Sequence, residues 1–388
     1  MNVAQKKRVL LVSPIGESGG AEQVFLKLAQ CLPDYNYEPV LACMRPGPLV
    51  DRAKQQGLEV HAFQEHRMRQ VLDVVKGVQW LKNLIRQVGA EIVHANYTAH
   101  LYASPASRLA GVPEIWHIHD YPYRPDSIDF LQARLSTAHV IFTTERVKSG
   151  FPHLCSRHVS VVPPTCIDSI YLDSLPQTHD IRKVYHLPTG PLFLTVARLQ
   201  SHKGHEFLIG AIPAILKQYP DAVFAIVGKA GNAEQRLYQQ KLQALCHKFG
   251  VEKAVNFLGY VGEQDLVSLF REATALVHPA ISEGFGLTLL EAMALGVPVV
   301  ASAADGPKEL IIHRNNGLLV PVSDSSALAE AVIEVATDQN LAASLRREGK
   351  SFAARKSLRS MVEQTVKIYQ VVDRATHLTQ VGTKPATD

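Results

Sequence analysis

The stretch SEGFGLTLLEAMALGVP, residues 282–298, sets Glu283 and Glu291 in an E-x7-E spacing around a turn that holds Gly284 and Gly286. ALVHP, from Ala275, reads as a buried strand before it, and LTLLEAMAL reads as a helix closed by Gly296, with Pro298 just beyond as a stop signal. Glu291 then lies inside the helix and Glu283 precedes its first turn. At a helical rise of 1.5 Å per residue their backbones stand roughly 10 Å apart or more, which argues against the ~5.5 Å carboxyl pair of a retaining glycosidase. A glycine turn that feeds a helix N-terminus suits phosphate instead, because the first N–H groups have no helical acceptor and the helix dipole favours negative charge. Glu291 can accept hydrogen bonds from ribose hydroxyls, and Glu283 can reach a sugar beyond the phosphates. A nucleotide sugar satisfies both, while a capped helix with an amphipathic edge remains the structural alternative for this motif alone.

Further along the same chemistry, TVARLQSHKGHEFLIGAI places Arg198 and Lys203 in the loop after a strand that begins at Leu192. Two fixed cations there can neutralise a diphosphate leaving group, the arginine as a planar fork and the lysine as a point charge. Near the start, SPIGESGGAEQVFLKLAQ carries Gly16, Gly19 and Gly20 before a helical pattern. This is not the G-x-G-x-x-G dinucleotide fingerprint, so a nicotinamide cofactor loses its main support. IWHIHDYP puts His117, His119 and Asp120 at a strand end. By alternation His117 and His119 share one face, so a metal pair has to be weighed against core histidines and a substrate-contacting His119, but no carboxylate or cysteine cluster is visible to complete a metal site.

These residues need elements to hold them. Short β-rich runs begin at Val9, Glu38, Leu58, Glu91, Glu114, His139 and Val159, and after a break the rhythm restarts at Leu192, Ala222, Val255, Ala275, Pro298 and Leu318. Buried strands alternating with helices predict parallel doubly wound sheets, and the restart predicts two α/β, Rossmann-like domains, 1–174 and 191–355. The polar, proline-bearing segment 175–190 is the expected linker, 356–374 a C-terminal helix, and 375–388 a disordered tail. Ligands of such sheets bind at the carboxyl ends of the strands, so the cleft between the domains is the expected active site.

Composition narrows the classes further. A chain of 388 residues with a formal charge of +4 is an ordinary globular one, without the basic stripe of a nucleic-acid binder. Five scattered cysteines, in no C-x-x-C pairing, signal neither a disulfide framework nor a zinc site and fit a cytoplasmic location. No apolar stretch approaches the ~18 residues of a membrane span. The segment from His66 to Val88 has apolar positions at helical spacing together with Arg67, Arg69, Lys76, Lys82 and Arg86. It fits a helix covering its own sheet, and also a weak peripheral contact with the inner face of an anionic membrane.

Taken together, GGAE from Gly19, HD from His119, ARLQSHKG from Ala197, VNFLGYV from Val255, EGFGLTLLEAMALGVPVVAS from Glu283 and DGPKELI from Asp305 resemble the retaining glycosyltransferases of glycosyltransferase family four, with a glycogen-synthase-like donor domain. The resemblance implies a GT-B fold in which the C-terminal domain holds the nucleotide, the N-terminal domain holds the acceptor, and the last helix returns to the first domain. It also implies roles. Arg198 and Lys203 match the diphosphate-binding cations, Glu291 the ribose ligand, Glu283 the residue facing the transferred sugar, and His119 a residue near the sugar's hydroxymethyl. Phe285, Gly286 and Leu287 match backbone lining sugar and phosphates, Gly19 and Gly20 the glycine loop over the diphosphate, and Tyr260 with Val261 the backbone facing the base. The implied donor is a nucleotide sugar (UDP or GDP), without a metal or other cofactor, and the implied acceptor a glycan, a lipid-linked or a small molecule. PTCID from Pro164 and DGPKE from Asp305 depart from the family's usual P-N-G-V-D and G-G-x-x-E. The rival classes are a nucleotide-sugar epimerase or hydrolase on the same fold and a non-catalytic sugar-nucleotide sensor.

Overall fold

The structure, a computed structural model, describes residues 6–16, 20–63, 71–119, 132, 134, 135, 137–154, 158–165, 175, 176, 178 and 180–381. Two compact units emerge, Met1–Cys166 with Leu358–Asp388, and Ile167–Ser357. The first is built on strands β1 (Lys7–Ser13), β2 (Tyr37–Cys43), β3 (Glu59–Ala62), β4 (Ile92–Asn96), β5 (Glu114–Ile118), β6 (His139–Phe142) and β7 (Val159–Val161). The second is built on β8 (Leu192–Val196), β9 (Val223–Val227), β10 (Val255–Gly259), β11 (Ala275–His278), β12 (Val299–Ser302) and β13 (Leu318–Val320). Every β-rich run of the sequence lies in one of these strands, and every pairing between them is parallel.

The sheet orders are β3-β2-β1-β4-β5-β6-β7 and β10-β9-β8-β11-β12-β13. In each, the chain builds outward to one side of a central strand and then returns to start the other side beside it. Helices cover both faces, so a strand such as β9, Val-Phe-Ala-Ile-Val, buries every residue and reads as a continuous apolar run rather than as an alternation. In the second unit one core lies between the sheet and the helices His205–Gln218 and Ser325–Thr337, centred on Phe193, Phe224 and Ile226. The other, with Leu194, Leu276 and Leu290, lies on the opposite face.

Two segments differ from their sequence expectation. Residues of 175–190 are fastened to the second unit instead of running free. The Thr178 hydroxyl and the Tyr185 hydroxyl donate to Asp265 at 2.6 and 2.8 Å, Arg182 pairs with Glu272 at 2.6 Å, and Ile181 and Leu187 are buried. Prolines made this stretch look like a tether, but Ile181 and Leu187 find a core with Leu269 and Phe270 of the helix Glu263–Glu272. The C-terminal helix runs Leu358–Val381, past the end expected near 374 and into the stretch read as tail. It belongs to the first unit, where Tyr369 is fully buried, packs edge-on against Tyr37, and shares a 2.7 Å hydrogen bond with His94 Nδ1.

In the helix Val71–Gln87 the apolar stripe of Leu81, Leu84 and Ile85 packs into the first unit's core, and Trp80 lies against Phe63 with ring centroids 5.3 Å apart. Lys76 and Arg86 face outward, and residues 66–69 lie outside the described set. Among the described residues no helix is long and apolar enough to cross a membrane.

One face of the first sheet breaks the apolar rule. Asn96 is the register partner of His117, and His94, Asn96, His117 and His119 all point to the same side. His94 stacks on His117 with centroids 5.4 Å apart, and His117 on His119 at 4.3 Å. Stacked rings direct their in-plane lone pairs side by side and not toward one point, which is poor geometry for a shared metal. Burial pushes the His94 imidazole down to about 3, His119 to about 4, and His117 well below the usual histidine value. An unfolded chain protonates these groups near pH ~6.5, so unfolding takes up protons below that pH and stability falls as the pH falls toward 4. Each histidine contributes about 1.4 kcal/mol per pH unit. Both tryptophans, Trp80 and Trp116, sit in the first unit, so tryptophan fluorescence during urea unfolding is expected to show its midpoint dropping steeply between pH 6.5 and 4. His117→Leu is expected to flatten that slope, and an unchanged slope in the variant would refute the linkage.

Candidate functional site

The strand order of the second sheet reverses between β8 and β11, which are neighbours with Leu194 and Leu276 in register. A reversal of this kind leaves a crevice at the carboxyl edge where the two following loops separate from the sheet. Here those loops carry Arg198 with Lys203, and Glu283. They are joined backbone to backbone, since the N–H groups of Ile281 and Ser282 both donate to the His202 carbonyl at 2.9 and 3.2 Å. Gly204 permits the approach, because its φ is +66° and a Cβ there would stand 2.1 Å from the Pro279 carbonyl oxygen.

Lys203 closes the short turn Ser201–Lys203, and its Nζ lies 2.8 Å from Glu283 Oε2, with only 12% and 16% of the two side chains exposed. The same oxygen accepts from His278 Nε2 at 3.0 Å. His278 ends β11, is 2% exposed, and has no hydrogen-bond partner on Nδ1 among the described residues. Burial alone would push the Glu283 carboxyl up, but the His278 hydrogen bond and the Lys203 charge outweigh it and hold the group well below the usual carboxylate range. Arg198 is exposed, and its carbonyl accepts from the Gln200 N–H at 2.8 Å. Its charge is nonetheless felt locally: burial pushes the His202 imidazole down, and the Lys203 and Arg198 charges add to that while Glu283 opposes it.

The helix Leu287–Ala294 starts at Gly286, whose φ of +101° is a left-handed value that favours glycine, and ends before Gly296. The Leu289 N–H donates to the Gly286 carbonyl at 3.0 Å, while the N–H groups of Leu287 and Thr288 precede any helical acceptor. Phe285 packs into the core, so its backbone is what it offers to a ligand, and the Gly306 N–H of the DGPKE segment holds the Glu283 carbonyl at 2.9 Å. Glu291 is half-buried on this helix, and burial, reinforced by the charge of Glu263, pushes its carboxyl up to about 7. The two glutamates of the motif therefore have opposite characters, one held ionised and one able to keep a proton near neutrality. Beyond β10, Tyr260 is 69% exposed while Val261 is buried, which leaves only backbone to face a ligand at Val261.

In the first unit Gly20 opens the helix Gly20–Cys31 directly after the β1 loop, at that sheet's own reversal between β1 and β4. His119 follows β5, is buried, and has no partner on Nε2 among the described residues. Gly19, Asp120 and Cys166 to Asp168 of PTCID lie outside the described residues. Among the described residues no group of three or more His, Cys, Asp or Glu is placed to hold a metal. Sequence reasoning missed His278. The available signal was a polar side chain at the carboxyl end of an otherwise aliphatic strand, just ahead of the glycine turn.

Residues 177–352 match the family Glycosyl transferases group 1, and residues 18–166 match Glycosyltransferase Family 4. The chain is 29% identical to a D-inositol 3-phosphate glycosyltransferase of Corynebacterium urealyticum, over 58% of this chain and 53% of that one. It is 28% identical to a GDP-mannose-dependent alpha-(1-6)-phosphatidylinositol monomannoside mannosyltransferase of Mycobacterium tuberculosis, over 54% of each. The chain thus spans about half the length of the curated relatives it matches. Among solved structures, that of Anabaena HepE in complex with UDP-glucose superposes with a TM-score of 0.80 at 23% identity, over 94% of this chain and 99% of that one. With both of its sheets built as that likeness requires and one family match on each unit, the chain belongs to the family-four glycosyltransferases of GT-B fold.

Proposed function

We propose that this protein is a retaining glycosyltransferase that moves a sugar from a nucleoside-diphosphate sugar to a hydroxyl acceptor. The observation that carries the reading is the convergence of Lys203, Arg198 and the N-terminus of the helix Leu287–Ala294 on one sheet reversal, next to an ionised Glu283. In the reaction the bond between the sugar's anomeric carbon and the phosphate oxygen breaks, and a bond from the acceptor oxygen forms on the same face. The acceptor's proton passes to the departing phosphate, so the protein's task is to stabilise negative charge growing on the nucleoside diphosphate. Lys203, Arg198 and the helix N-terminus do this without a divalent metal. Glu283 accepts from a sugar hydroxyl and Glu291 from the ribose.

The relatives' names, one with GDP-mannose as donor and inositol phosphate or phosphatidylinositol mannoside as acceptors, support a hexose donor and a glycan, lipid-linked or small-molecule acceptor. The family match favours neither the epimerase nor the sensor. A weak electrostatic contact of the first unit with an anionic membrane, through Lys76, Lys82 and Arg86, belongs to the same reading. Co-sedimentation with anionic vesicles at low salt is the expected result, and protein left wholly in the supernatant removes it.

Transfer assayed in the presence of EDTA is expected to proceed in the wild type and to fall by roughly 10²-fold or more in Lys203→Ala and in Arg198→Ala, the loss typical of one preorganised donor to a developing oxyanion. Near-normal rates in both folded variants, or a strict requirement for added Mg²⁺ or Mn²⁺, would overturn the assignment. Glu291 binds the ribose as the carboxylate, so binding below pH 7 must release its proton, and affinity is expected to rise with pH and level off above about 7. Calorimetric titration of wild type against Glu291→Gln isolates this effect, because the diphosphate's own titration is common to both. The variant is expected to bind ~1 to 3 kcal/mol more weakly above pH 7 and to lose the extra pH dependence. Parallel curves of equal affinity would reduce Glu291 to a helix-edge residue.

A further inference from the structure

Glu283 Oε2 has two donors, and they differ in freedom. His278 Nε2, at 3.0 Å, comes from the last residue of a central buried strand. Lys203 Nζ, at 2.8 Å, ends a four-carbon stem that can redirect its charge without moving the backbone. Glu283 itself is fixed from below, with its carbonyl on the Gly306 N–H and the two N–H groups of Ile281 and Ser282 on His202. The carboxylate is therefore the stationary member of the pair and the lysine the movable one. An ammonium that grips a phosphate has to leave this carboxylate, and the exchange is felt strongly because so little of either side chain is exposed to water and salt.

We propose that the Lys203–Glu283 pair, anchored from behind by His278, sets the preference of the site for an intact nucleotide sugar over the spent nucleoside diphosphate. The inference rests on the reading of Lys203 as a diphosphate ligand. When the sugar is attached, one of its hydroxyls donates to Glu283 and replaces the hydrogen bond that Lys203 gives up in turning to the phosphates. When the sugar has been transferred nothing replaces it, Glu283 draws Lys203 back, and the nucleoside diphosphate is held less tightly. Competition inside the site thereby favours product release. His278 is a positioning residue in this scheme, because its N–H keeps the carboxylate from following the lysine.

The test is a double-mutant cycle on binding, with UDP, GDP and ADP each titrated calorimetrically into the full chain. Glu283→Gln is expected to tighten whichever nucleoside diphosphate the wild type binds, by on the order of tenfold, and Lys203→Met to weaken it. In the double variant the tightening should vanish, since there is no lysine left to release. If Glu283→Gln fails to tighten binding, or tightens it equally in the Lys203→Met background, the effect is absent or is plain charge repulsion and the proposal falls. If Lys203→Met binds as well as wild type, the diphosphate reading of Lys203 fails instead. His278→Gln, whose amide can reach the position of the ring Nε2, should keep the wild-type ratio of nucleotide-sugar to nucleoside-diphosphate affinity, while His278→Leu should move it toward one. A wild-type ratio in a folded His278→Leu protein overturns the anchoring role.

Discussion

Strands β8 and β11 share a ladder although the chain leaves β8 to build β9 and β10 before it returns. That adjacency decides where charge can gather in the second unit. Lys203 belongs to the loop after one strand, and His278 and Glu283 to the end of the other and the loop beyond it, so neither segment can assemble the cluster alone. The backbone does the joining through the His202 carbonyl and the contact that Gly204 allows. Side chains at the edge inherit positions already fixed by aliphatic packing beneath them, which is why a site of mobile, charged groups can still be preorganised.

The same geometry separates the two glutamates of one short motif. Burial disfavours charge on both, and what differs is the neighbour that each meets across the fold. Glu283 meets an imidazole N–H and an ammonium, and stays charged. Glu291 meets Glu263 at the start of another helix, and its proton is held to about 7. A permanently ionised acceptor and a conditionally ionised one are suited to different hydroxyls of one ligand, because the second gains most when a bound donor relieves its unfavourable charge.

Much of this was legible in the sequence where a local pattern carries the information. Parallel strands buried on both faces appear as short aliphatic runs, and every run fell in a strand. The glycine turn, the helix it feeds and the cations after β8 were legible because turn chemistry and strand ends are local features. The roles of 175–190 and of His278 were not, since the first depends on a helix some way along the chain and the second on how the stretch from His278 to Glu283 folds back on itself. Ile181 looks like part of a polar tether until the helix Glu263–Glu272 covers it, and His278 looks like a strand residue until Glu283 turns back over it. The opposite pKa displacements were hidden for the same reason, because a carboxylate's neighbours are set by topology and not by spacing.

Topology also orders the assembly of the first unit. The hydrogen-bond partner of His94 is Tyr369, 275 residues further along the chain, and the whole second unit lies between them in sequence. Until the helix Leu358–Val381 arrives, the face that carries His94, Phe25 and Tyr37 lacks a ring that packs against it and a hydroxyl that meets a buried ring nitrogen. An unmet buried nitrogen costs free energy, so this face gains its full stability only when the C-terminal helix is in place. Long-range closure of this kind carries a loop-entropy cost before its contacts form. A compact second unit shortens the effective span, which makes folding of Ile167–Ser357 before completion of the first unit the favoured sequence of events.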